Sequence, residues 1–202
     1  MKKSLMAAML TLLVASPGIA FAAASVGKMA PEFTLTDIAG KSVRLADFKG
    51  RHVVLEWHNP NCPFVAKHYD SGNMQGLQNK YDAQDTVWLA INSTHPGHQD
   101  YMSSNELKRY LVDKKASPDA YLMDADGKTG MAYAARTTPH MYLINPAGTL
   151  VYAGAIDDKR STSLEDVKIA RNYLVAALEE SKAGKPVSVS ATQPYGCSVK
   201  YR

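Results

Sequence analysis

Residues 52–70 read HVVLEWHNPNCPFVAKHYD, and the change of pattern inside this stretch decides the fold. Val53, Val54 and Leu55 form an uninterrupted apolar run, which marks a strand covered on both faces rather than an alternating surface strand. Asn59-Pro60-Asn61 ends the run in a turn. Beyond it the pattern becomes helical, through Phe64, Val65, His68 and Tyr69, and continues to Leu77 and Tyr81 after an interruption at Ser71-Gly72-Asn73. Pro63 suits the first helical position, where its fixed φ is already helical and its missing N–H would have had no partner.

Working outward, Thr86 to Asn92 (TVWLAIN) reads as a second buried strand, and Ser103-x-x-Glu106 as a capping box opening a helix to about Lys115. Ala120 to Met123 is a short strand ended by Asp124-Ala125-Asp126-Gly127, with a short helix over Lys128 to Ala135. Met141 to Ile144 and Thr149 to Ala153 flank Asn145-Pro146-Ala147-Gly148 as an antiparallel hairpin. Thr162-x-x-Glu165 is expected to open one helix through Leu164, Val167, Ala170, Leu174 and Leu178 to Gly184. Upstream, Phe33–Leu35 and Ser42–Leu45 form an opening hairpin around Ala39-Gly40-Lys41. These units predict one α/β domain over residues 23–184, a mixed sheet with helices on both faces, and then a tail over 185–202 that carries Cys197.

The chain has 202 residues, 46% hydrophobic and 21% charged, a balance that excludes a disordered tail protein, a collagen-like repeat and a multispan membrane protein. Residues 1–22 read as a secretory signal. Lys2 and Lys3 precede an apolar run from Leu5 to Ala15, a Pro17-Gly18 breaker and the small-x-small site Ala20-Phe21-Ala22. That run is about half of the ~20 residues needed to span a bilayer, so the expectation is a cleaved, periplasmic protein with no stable membrane association. With Lys2 and Lys3 set aside, 21 basic residues face 19 acidic ones and no Lys/Arg run exceeds a pair, which argues against a nucleic-acid partner. Two cysteines are too few for a disulfide scaffold, so in an oxidising compartment each needs its own explanation.

Cys62 stands between the turn and the helix. Unpaired N–H groups and the positive end of the helix dipole favour a thiolate there, and Lys67 and His68 one turn on are expected to add positive potential. The expectation is an exposed, reactive sulfur. An inert buried thiol is the alternative.

Val53 to Val65 resembles the active-site strand and turn of the thioredoxin superfamily, and Thr138 to Gly148 (TPHMYLINPAG) resembles its cis-proline strand and hairpin. Gly27 to Leu35 (GKMAPEFTL) is similar to the start of the redoxin branch, which includes peroxiredoxins and exported thioredoxin-like reductases. The resemblance covers roughly residues 26–178 and implies a thioredoxin-like fold. It further implies a cis Thr138–Pro139 bond facing Cys62, with Thr138 and Pro139 holding substrate, and Glu56 as a buried acid serving proton transfer; Asn59 and Pro63, on either side of Cys62, are also expected to contact substrate.

The chain also departs from the pattern. Val65 stands where thioredoxins carry their second cysteine. Asn59 and Pro139 stand where peroxiredoxins carry Thr and Arg. His58, His68 and His140 with Cys62 lack the paired cysteines of thioredoxin-fold copper chaperones, so neither metal nor cofactor is expected. Cys197 is a free tail thiol, a structural disulfide partner of Cys62, or a resolving thiol.

The leading functional expectation is an exported thiol-disulfide oxidoreductase acting on protein or small-molecule thiols and disulfides, with catalytic Cys62, Cys197 and Glu56. The others are an antioxidant thiol peroxidase, in which peroxide turns Cys62 into a sulfenic acid, and a non-catalytic binding module with a structural Cys62–Cys197 bridge.

Overall fold

A computed structural model describes residues 23–202; the proposed signal segment lies outside the described residues. The elements, in chain order, are β1 (Thr34–Asp37), β2 (Ser42–Arg44), a 3-10 turn (Leu45–Phe48), β3 (His52–Trp57), α1 (Pro63–Asp70), α2 (Asn73–Asp82), β4 (Thr86–Asn92), α3 (Ser104–Lys114), β5 (Ala120–Met123), α4 (Lys128–Ala132), β6 (Thr137–Thr138), β7 (His140–Ile144), β8 (Leu150–Gly154), α5 (Asp166–Ile169), α6 (Tyr173–Lys182) and β9 (Cys197–Ser198).

Seven strands form one mixed sheet in the order β2-β1-β5-β4-β3-β7-β8. β3 and β4, and β4 and β5, run parallel; the other neighbours are antiparallel. β3 lies between β4 and β7, which explains its continuous apolar run: both of its faces are inside the protein. Alternation divides its side chains. Val53, Leu55 and Trp57 face a layer with Phe33, Leu45, Leu89 and Tyr133, whereas Val54 faces one with Met74, Trp88, Leu174 and Leu178. Helices α1, α2, α3 and α6 pack on that second face, and α4 with the 3-10 turn on the first.

The capping box on α3 is present: Ser103 Oγ accepts from Glu106 N at 3.4 Å and Glu106 Oε2 accepts from Ser103 N at 2.7 Å. The single helix expected from Thr162 to Gly184 is instead broken in two, with Ala170 in an extended conformation between α5 and α6. Asn172 caps α6 by accepting from Val175 N at 2.9 Å, while Arg171 N donates to Asp158 Oδ1 at 3.0 Å. The break therefore joins the start of α6 to the segment after β8. Leu164 and Ile169 lie exposed as a result. The helix expected over Lys128 to Ala135 ends at Ala132, with Tyr133 as its cap.

The tail is built into the domain. Ala191 bridges to Ala153 of β8, and β9 pairs antiparallel with β6, Cys197 opposite Thr138 and Ser198 opposite Thr137.

Candidate active site

The turn after β3 organises itself. Asn59 Oδ1 accepts from Asn61 N at 2.8 Å and the Asn59 carbonyl from Cys62 N at 3.1 Å. Cys62 is the cap of α1, in extended conformation, and its carbonyl accepts from Val65 N at 3.0 Å and Ala66 N at 2.9 Å. Its Sγ donates to the Thr138 carbonyl at 2.9 Å, next to the cis Thr138–Pro139 peptide.

Pairing of β6 with β9 brings Cys197 to the same threonine. Both cysteines are free thiols. Partial burial, then the hydrogen bond to Cys62 and the charge of that sulfur, push the Cys197 thiol up to about 12. The expectation of an exposed Cys62 is overturned: it is 1% exposed, packed in a cluster with Tyr195 and Cys197 of the tail.

Among the other expected site residues, Pro63 is exposed at the start of α1, while Asn59, Thr138 and Pro139 are buried. Asn59 also bonds Thr94 Oγ1 at 3.4 Å. Glu56 accepts from the Tyr69 hydroxyl at 3.0 and 3.2 Å and from Trp88 Nε1 at 2.8 Å. None of its hydrogen bonds goes to Cys62. Burial raises its carboxyl to about 7, against the pull of those two donors. Beside it, His58 contacts Tyr121 OH at 2.7 Å and Tyr110 OH at 3.3 Å and meets the Tyr69 ring edge-on. Burial lowers His58 to about 3, so the cage around Glu56 carries no positive charge at neutral pH.

Lys67 and His68 do not serve the sulfur as expected. Lys67 Nζ donates to the Lys159 carbonyl at 2.8 Å and to Tyr195 OH at 3.1 Å, with Asp157 Oδ2 at 3.6 Å. His68 is held near 3 by burial and by Lys67, hence neutral, with Nε2 facing the same carboxylate at 3.7 Å. Asp157 and Tyr195 are functional candidates that sequence reasoning missed. The one available signal was an acid placed directly after the apolar Ala155-Ile156.

A mixed sheet of this order, with a cysteine heading the helix after its central strand and a cis-proline opposite, defines a thioredoxin-superfamily protein, and the family match places it in the redoxin branch. The family model of AhpC/TSA matches residues 26–153, and the chain belongs to that family. Among curated relatives, the thiol-disulfide oxidoreductase ResA of Bacillus subtilis is 28% identical over 134 residues, 63% of this chain and 65% of its own length. The chain thus spans just under two thirds of that relative. The methylamine utilization protein MauD of Paracoccus denitrificans is 25% identical over 168 residues, covering 79% of this chain and 72% of its own. Among solved structures, an uncharacterized conserved protein from Geobacillus kaustophilus superposes with a TM-score of 0.75 at 29% identity, over 88% of this chain and 93% of that one.

Proposed function

We propose that the protein is an exported thiol-disulfide oxidoreductase in which Cys62 is the attacking sulfur and Cys197 the resolving one. The observation that carries this reading is the meeting of both sulfurs at Thr138, beside the cis-proline and at the mouth of α1. Kinship with ResA and MauD supports the same chemistry. The signal-like residues 1–22 support export into a compartment where disulfides persist.

In the reductive direction the Cys62 thiolate attacks a client disulfide, forming a mixed disulfide and expelling one client thiolate. Cys197 then loses its proton and attacks the Cys62 sulfur. The second client thiol leaves, and two electrons have passed to the client at the expense of a Cys62–Cys197 disulfide, which an external dithiol reopens. Beyond burial, the largest cause, two influences of Cys62, its hydrogen bond and its charge when ionised, keep the proton on Cys197 in the reduced pair. Both influences vanish once Cys62 is in a mixed disulfide, so the resolving thiol becomes easier to ionise when it is needed. Glu56 hydrogen-bonds to neither sulfur; its part is to hold α1 through Tyr69 and to change charge behind the helix near neutrality.

Intact-mass measurement on reduced protein tests the assignment. With oxidised glutathione, Cys197→Ser is expected to trap a glutathione adduct on Cys62, the unsubstituted protein to form the internal disulfide, and Cys62→Ser to give no resolvable adduct. A Cys62 sulfenic acid that forms faster with hydrogen peroxide than the adduct does with glutathione disulfide transfers the assignment to thiol peroxidase. An internal bridge that resists mild reductant, with neither species trapped, leaves the binding module.

A further inference from the structure

Cys62 heads a helix yet is 1% exposed, and its cover is the protein's own tail. β9 occupies the antiparallel pairing beside Thr138, the edge next to the cis-proline. It lies as close as a backbone can: Gly196 has φ +138°, and a Cβ there would collide with the Thr138 carbonyl. The strand is fastened on both sides of Cys197. Downstream, Val199 N donates to the Arg136 carbonyl at 3.1 Å and Tyr201 OH to the Ala135 carbonyl at 2.9 Å. The Tyr201 ring lies where a side chain on Gly130 would stand.

Upstream, Tyr195 is 5% exposed, its ring edge-on to Phe64 at 5.8 Å. Its hydroxyl donates to Asp157 Oδ1 and accepts from Lys67 Nζ at 3.1 Å, with His68 Nε2 at 3.5 Å. Lys67 and Asp157 have side chains 0% and 2% exposed and face each other at 3.6 Å, too far for a close contact pair. A buried pair of that kind depends on further hydrogen bonds to complete its solvation, and the tail's hydroxyl supplies one to each member. Docking of the tail is thereby tied to the satisfaction of charges in the domain.

We propose that Tyr195 is a positioning residue that clips β9 over Cys62: docked, the strap fills the place a client backbone would take beside Thr138 and holds Cys197 against its partner; released, it uncovers Cys62. This rests on the reading of Cys62 and Cys197 as the working pair. A client then competes with the protein's own strand, and the hydroxyl of Tyr195 sets how often the competition opens.

Alkylation of Cys62 by iodoacetamide, in reduced protein with Cys197→Ser as the single-thiol parent, reads access rather than catalysis, so the clip stands or falls whether or not a client disulfide is reduced. Tyr195→Phe keeps the ring against Phe64 and removes the hydroxyl, and is expected to speed alkylation by about tenfold, the effect of one hydrogen bond to a charged group. With both cysteines present, the same substitution should make the Cys62–Cys197 disulfide about tenfold easier for glutathione to reduce, because Cys197 is held less closely. Equal alkylation rates with and without the hydroxyl, or a folded parent as reactive as urea-unfolded protein, overturn the proposal. Should Tyr195→Phe not fold, amide exchange in the unsubstituted reduced protein decides: residues 197–199 opening while β3 stays protected supports the strap, and exchange of both by global unfolding alone overturns it.

Discussion

Glu56 and Asp157 are both buried carboxylates that engage α1, and the helix treats them in opposite ways. Tyr69 faces Glu56, which has hydroxyl and indole donors around it and, among the described residues, no countercharge. Lys67 and His68 face Asp157, which has an ammonium group at 3.6 Å and a tyrosine hydroxyl from the tail. Neutral donors hold a carboxyl in place without replacing the water it loses, and the result at Glu56 is a group that stays protonated up to about 7. The Asp157 cluster is completed by a residue nearly forty positions away. One acid belongs to the scaffold; the other depends on where the tail lies.

Breaking the charged cluster should have the largest effect. Lys67→Met leaves Asp157 buried without its cation and Tyr195 without its donor, and is expected to cost about 3–5 kcal/mol in urea unfolding. A loss below about 1 kcal/mol would mean that the cluster is solvated in solution and the contrast with Glu56 is unreal.

Glu56→Gln acts with the opposite sign and depends on pH. A carboxyl raised in the folded state from 4.5 to about 7 is released earlier by the unfolded chain, so the parent loses stability as pH rises between those values and the cost is complete above 7. Glutamine carries no such cost. Relative to the parent it should gain on the order of 3 kcal/mol between pH 4 and pH 8. His58, His68 and His140, each held near 3 by burial, destabilise both proteins as pH falls below about 6.5 and cancel in the difference. A difference that is flat across this range would refute the neutral cage.

The smallest effect belongs to a pair with the same chemistry at the exposed surface. Lys80 and Glu179 meet at 2.8 Å with side chains 47% and 51% exposed. Lys80→Ala should cost no more than about 1 kcal/mol and less in high salt. An effect as large as that of Lys67→Met would show that contact, not desolvation, separates the two regions.

What was legible in the sequence was local. The apolar runs of β3 and β4, the capping box of α3 and the Cys62-Pro63 helix start each rest on neighbours within a turn of one another. The cis peptide at Thr138–Pro139 came from family resemblance, and the structure has it. What failed was long-range. The helix expected from Thr162 breaks because Arg171 and Asn172 bond back to Asp157 and Asp158. β6 and β9 are two residues each, too short to show an alternating pattern. Nothing in spacing links Lys67 to Asp157 and Tyr195, so the sulfur's cover was invisible and an exposed Cys62 was expected instead.

The pairing of Cys197 with Thr138 also makes the tail a ruler. Side chains along a strand take turns on either side, so adding or deleting a single residue between the tyrosine anchor and the sulfur would aim the thiol at solvent and turn its neighbour inward. Most connecting segments absorb such length changes; here, two steps of backbone are a fixed measure.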